Sequence, residues 1–329
     1  MNTPFPTKAL FCASFFLGNL LNCQAVELLT AGKPIEITGT HGKFDFICID
    51  SDARRLLAAH TGNGSLDVVD VDTNAVVKIV PTGAAQDCAI DAESKRYLVS
   101  VSKPPQLAVV DSKTLAVTET IPLAGPADLL AFDHESGTAY VGHDDANHLW
   151  VVDPDEKKVV STVNLPSDSP EGLVFDEGYD RLFQAMKTGS IIAVVDVETH
   201  KVTEQWSTEP AKAPHGIASV MEFNRILVAG GNGKLVLMSQ RDGRVVSSAD
   251  IPERVDQIAY DAQLHRVYCA SGTGKISIVR VEKDALTMLG EIASSPGAHS
   301  IAIDSHTHTV WTAYAKGEAS FVQPFTIIH

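Results

Sequence analysis

A chain of 329 residues with 44% hydrophobic and 20% charged side chains has the balance of a folded globular protein, which excludes the intrinsically disordered and low-complexity classes. Its 41 acidic against 26 basic residues leave a formal charge of −15. Because Lys and Arg are nowhere gathered into a block, nucleic acid and anionic lipid surfaces are excluded as expected partners.

At the N-terminus Lys8 precedes the apolar run Ala9 to Leu21, and Cys23-Gln24-Ala25 places small residues three before and one before a cut ahead of Val26. This pattern predicts a secretory signal peptide over residues 1–25 and a mature domain over 26–329. A short buried helix is the bland alternative. A lipoprotein signal acylated on Cys23 is another, poorly served by Asn22. The expectation is an exported protein, periplasmic or secreted, with no membrane span in the mature chain. Cys48, Cys88 and Cys269 then remain, an odd number, each inside an apolar strand pattern and without a CxxC spacing. They read as small buried hydrophobes, with at least one free thiol.

From residue 33 onward the chain repeats one unit, seen most clearly over residues 128–160. An apolar run ends at an Asp in a polar turn, a second strand follows, then a turn, a third strand closed by another Asp, and a fourth strand. The first-strand Asp recurs as Asp50, Asp91, Asp133, Asp176, Asp261 and Asp304, with Val220 in its place in the fifth copy, at spacings of 41 to 44 residues. Seven copies of a four-stranded meander, uninterrupted by helical periodicity, predict an all-β, seven-bladed β-propeller forming a single domain. The seventh copy lacks a fourth strand. Lys33 to Thr38 resembles one and is expected to complete the last blade, so that the N-terminal strand closes the ring.

The segments Tyr140-Val141-Gly142-His143 and Leu149-Trp150-Val151-Val152-Asp153, with weaker copies elsewhere, resemble the YVTN-repeat (YncE-like) seven-bladed β-propellers across nearly the whole mature chain. The resemblance implies the propeller fold and, commonly, export; the repeat motif of that family is structural and its members have diverse roles. This chain departs from the motif at His143, where the family usually has Asn, and in its degenerate fifth and sixth copies.

The turn aspartates serve the turns. Two places before the aligned residue stand Cys48, Ala89, Ala131, Val174, Ala218, Ala259 and Ala302, nearly all small, as the crowded innermost strands require. Five places before it every copy is polar: Asp45, Gln86, Asp128, Glu171, His215, Asp256 and His299. In a propeller this position opens the innermost strand, so the seven side chains are expected around the mouth of the central channel. Loops between second and third strands add His60, Lys103, His143, Asp144, Lys187, Asn232 and Tyr314 on the same face. The ligand-binding candidates are therefore Asp45, His60, Gln86, Asp128, His143, Glu171, His215, Asp256 and His299.

Two readings of that ring compete. Propeller channels are commonly lined by hydrated polar residues that bond neighbouring loops. Alternatively, carboxylate and imidazole donors suit a divalent ion or a basic ligand, although no short metal motif such as HExxH is present. The Gly-rich turn Gly230 to Gly233 lacks a following helix, and no Gly-x-Ser-x-Gly elbow or CxxCH haem site occurs. The favoured function is a non-catalytic exported propeller that binds a protein partner or small ligand at the channel mouth. The alternative is a metal-dependent, lactonase-like hydrolase using the carboxylate and His ring, and a role in a redox system rests on fold analogy alone. No cofactor and no particular partner follow from the sequence.

Overall fold

A computed structural model describes Met1 and residues 28–176 and 180–328. The leader expected over residues 1–25 therefore lies outside the described residues, Met1 apart. No described helix is long and apolar enough to cross a membrane.

The described residues form seven antiparallel sheets in a ring. We number the blades in chain order: blade 1 spans 47–81, blade 2 85–122, blade 3 127–164, blade 4 170–207, blade 5 214–250, blade 6 255–293 and blade 7 300–327. The expected seven-bladed propeller is thus the fold. Second and third strands are buried on both faces, as in Arg96–Val101 and Ile191–Asp196. A four-stranded meander cannot cover both its faces, so the apolar core is divided among the joints between blades. Leu98, Leu107 and Val109 of blade 2 pack on Val141, Trp150 and Val152 of blade 3, and Phe183 and Val194 of blade 4 pack on Ile226 and Val228 of blade 5.

Closure follows the expected route with one addition. The third strand of blade 7, Ala319–Ile327, is flanked by Ile35–Glu36, with Ile35 opposite Val322. It is also flanked by Leu29–Ala31, with Leu29 opposite Ile327. The fourth strand is therefore made of two N-terminal pieces and begins before Lys33. At the break between them the chain passes so close to Pro324 that a Cβ on Gly32 would lie 2.9 Å from its ring. Ile37 and Leu29 are buried, which anchors both pieces.

The turns after the first strand explain the recurring Asp. Asp50 accepts the Ala53 N–H at 2.9 Å and Asp91 the Ser94 N–H at 3.0 Å. Four places beyond the aligned residue every copy has a left-handed backbone: Arg54, Lys95, Gly137, Asp180, Asn224, His265 and His308. Where Val220 replaces Asp, a single 3-10 turn, Met221–Phe223, makes the connection and ends on Asn224 at φ 54°. The same aspartates also tie blades together: Asp304 of blade 7 receives Arg54 of blade 1 at 2.7 Å, and against burial the hydrogen bonds from Arg54, Thr307 and the His306 N–H together hold that carboxyl at about 2. Ion pairs of this kind close the ring on the face opposite the channel mouth.

Candidate functional site at the channel mouth

Each innermost strand of blades 2 to 6 opens with an irregularity in its pairing, for example between Pro170 and Leu173 in blade 4 and between Pro214 and Ile217 in blade 5. The ring residues Gln86, Asp128, Glu171, His215 and Asp256 fall inside these irregularities. A bulge of this kind breaks the alternation of a strand and re-aims one side chain. Glycine follows two of them. A Cβ on Gly172 would lie 2.4 Å from the His215 carbonyl, and one on Gly216 would lie 3.0 Å from the Asp256 carbonyl, so glycine lets the inner strands of blades 4, 5 and 6 approach one another at the mouth.

Blades 4 to 7 place Glu171, His215, Asp256 and His299 side by side. The Glu171, His215 and Asp256 donor atoms all lie within 4.8 Å of one another. His215 Nε2 is 3.7 Å from Glu171 Oε1. His215 Nδ1 donates to the Ala213 carbonyl at 2.7 Å, because a carbonyl can only accept. In the neutral ring Nε2 then carries the lone pair, and it is turned toward the two carboxylates. His299 Nδ1 stands 3.0 Å from Asp256 Oδ2 but off the hydrogen-bond axis, so the contact is a charge pairing. Lys187 Nζ reaches Glu171 Oε1 at 3.2 Å.

The electrostatics follow from crowding carboxylates in a concave site. Burial, then the Asp256 charge, raises Asp45 to about 7. Asp128 is held well above the carboxylate range by burial and by Asp45 and Glu171. Burial also raises Glu171, against the opposing pull of His215 and Lys187. Burial would raise Asp256 too, but the contact with His299, together with the pull of His299, His215 and Lys187, outweighs it, and that carboxyl lies below its ordinary value. In return, and against desolvation, Asp256 holds His299 above the usual imidazole range. The mouth thus contains three carboxyl groups whose charged forms are disfavoured by burial and by neighbouring carboxylates.

An open concavity of about 330 Å³ lies over His215, Asp256 and His299, rimmed by Lys187 and Arg254. Beneath it, the channel holds a cavity of about 210 Å³. Another concavity, about 290 Å³, opens between blades 3 and 4 around Phe132, His134 and Phe175. Its acidic residues Asp133, Glu135, Asp176 and Asp180 belong to the turns after the first strands, so the convergent donors single out the mouth.

Three sequence candidates behave differently from the rest. His60 is fully buried, with Nδ1 2.6 Å from Asp67 Oδ2 and its ring stacked on Phe44 at 4.0 Å. It is a core group at the joint of blades 7 and 1, where Nε2 meets Ser320 Oγ at 3.1 Å, and it does not face the mouth. Gln86 is buried and spends its amide on Ser102 Oγ at 2.5 Å and Thr61 Oγ1 at 3.3 Å. His143 Nδ1 accepts the Asp145 N–H at 3.1 Å, and its ring packs against His148 and Trp150. Its loop position is as expected, yet its contacts are with blade 3 itself.

Sequence reasoning passed over two polar residues one place further down the channel. Asp87 accepts the Leu130 N–H at 3.0 Å and the Cys88 N–H at 2.7 Å, and burial raises it to about 7. Gln257 accepts the Ile301 N–H at 2.9 Å and donates to the Ile47 carbonyl at 2.8 Å, so it joins blade 6 to blades 7 and 1. The signal was present: four of the other copies have an apolar residue or glycine at that position.

No known family's sequence profile matches the chain, and no curated protein matches it in sequence. Solved structures do. A chain of Kuenenia stuttgartiensis hydrazine synthase superposes with a TM-score of 0.71 at 15% identity, over 85% of this chain and 96% of that one. A chain from the crystal structure of the mitotic checkpoint complex superposes with a TM-score of 0.78 at 12% identity, over the whole of both chains. The likeness is one of fold. A β-propeller commonly serves as a rigid platform for binding.

Proposed function

We propose that this chain is an exported, non-catalytic propeller of the YVTN-repeat kind that binds a positively charged ligand, a divalent metal ion or a basic group presented by a partner, at the channel mouth. The observation that carries the reading is the convergence of Glu171, His215 and Asp256 within 4.8 Å, with the His215 lone pair turned toward the carboxylates. A purely structural ring would spend these groups on neighbouring loops, as Gln86 does. Here the carboxyl groups of Asp45, Asp128 and Glu171 are raised by burial and mutual repulsion, a cost that a bound cation relieves. Export rests on the N-terminal pattern Lys8, Ala9 to Leu21 and Ala25. The checkpoint-complex neighbour, by its title part of a complex, supports the use of such a fold toward a protein partner.

The test is metal analysis of the mature protein, beside the His215→Ala variant, after equilibration with Zn²⁺, Mn²⁺ or Ca²⁺ and removal of the excess. Near-stoichiometric metal in the wild type and its loss in a folded variant are expected; equal content in both would reject the site.

A second reading, a metal-dependent hydrolase of the lactonase type, has one observation in its favour. Three protein donors leave coordination positions open, and Asp45 nearby titrates at about 7, where a general base is effective. Hydrolysis of a lactone by the metal-loaded protein, abolished in Asp45→Asn, would favour it over simple binding.

A further inference from the structure

Two thiols meet where blades 1 and 2 line the channel. Cys48 lies on Ile47–Asp50, the inner strand of blade 1, and Cys88 on Ala85–Asp91, the inner strand of blade 2. Their sulfurs are 2.7 Å apart, closer than unbonded sulfurs ordinarily pack, and a bonded pair needs only a small further approach to about 2.05 Å. The backbones on either side are already fixed. Phe46 N–H donates to the Gln86 carbonyl at 2.9 Å, and Asp87 clamps Cys88 N–H and Leu130 N–H. Both cysteines line the cavity of about 210 Å³. Cys88 is 5% exposed, while Cys48 is half-buried.

We propose that Cys48 and Cys88 form an interblade disulfide by exchange with a small disulfide oxidant that enters the channel. The thiolate of Cys48, the more accessible sulfur, attacks one sulfur of the oxidant; the oxidant's S–S bond breaks, a mixed disulfide forms, and one half leaves as a thiol. Cys88 then attacks the Cys48 sulfur, the mixed S–S bond breaks, and the second half leaves. The two cysteines lose two electrons and two protons, and the oxidant departs as two thiols. Burial pushes the Cys88 thiol well up, so the more accessible Cys48 takes the first step, and Cys88 acts in the second because the two sulfurs already stand 2.7 Å apart. Cys269 is buried in blade 6 and stays reduced. The link joins two blades at the innermost radius, three residues from Asp45 and two from Gln86, so it also fixes one side of the mouth.

The experiment incubates the full chain with oxidised glutathione, quenches with acid and an alkylating agent, and digests with trypsin without reductant. Peptides 44–54 and 79–95 are expected joined, lighter than their sum by two hydrogens and separated by reductant. The Cys88→Ser variant should instead carry glutathione on Cys48. Oxidised wild type is expected to melt several degrees above the same sample reduced. Separate, alkylated peptides in the wild type, glutathione held on Cys48 without the link, or a lower melting temperature on oxidation would each overturn the proposal.

Discussion

His299 Nδ1 of blade 7 lies 3.0 Å from Asp256 Oδ2 of blade 6, and the pair sits beside Asp45 of blade 1 at the joint where the ring closes. Imidazolium and carboxylate stabilise each other's charged forms, so the closing joint carries a charge balance that responds to pH.

The sign of that response follows from the shifts. Asp45, Asp87, Asp128, Glu171 and His299 all titrate above their ordinary values in the folded chain. Groups of this kind contribute their full stability below the unfolded pKa and lose it as pH rises through the folded pKa. Asp256, which is lowered, acts oppositely and loses its contribution only in acid. Thermal stability without added metal is therefore expected to fall between about pH 5 and pH 8. Asp45→Asn should flatten the curve and stabilise the protein by roughly 1–3 kcal/mol at pH 8, allowing for solvent screening at the mouth. Melting curves across that range check it.

His60 supplies the contrast. His60→Ala removes a buried ring stacked on Phe44 and leaves the Asp67 carboxylate without it, which is expected to cost about 3 kcal/mol. Cation uptake should be unchanged. Chemical denaturation and metal analysis of the same preparation separate the two effects.

Closure by the N-terminal strand is testable at Ile37, which is fully buried between blades 7 and 1. Ile37→Ala is expected to cost about 2–5 kcal/mol, and deletion of residues 28–38 to cost more than any single substitution there, because it also opens the edge of Ala319–Ile327. Unfolding midpoints of the two variants provide the check.

The repeat made the fold legible because the turns demand Asp and the inner strands demand small residues at fixed places. Val220 did not hide the fifth blade, since the following strands kept their apolar runs while a 3-10 turn did the work of the Asp. The mouth was legible for the same reason: five places before the aligned residue the chain is polar in every copy, and the side chains from blades 4 to 7 do meet. His60 and His143 were not separable from it by sequence, because a loop-end position fixes the face of the ring but not whether a side chain turns toward the axis or packs against its own blade. The Cys48–Cys88 contact was hidden by register. The two stand at repeat positions one apart, and only the lateral offset of neighbouring blades brings them together.

The cation site built by Glu171, His215 and Asp256 is tested by calorimetric titration of Zn²⁺ into the wild type and into the Glu171→Gln, Asp256→Asn double variant at pH 6 and pH 8. About one ion per wild-type chain is expected, tighter at pH 8 because Asp45, raised to about 7, has then released its proton. A loss of at least tenfold, roughly 1.4 kcal/mol or more, is expected in a double variant that remains folded. Equal affinity in the two proteins, or no heat of binding in the wild type at either pH, would contradict it.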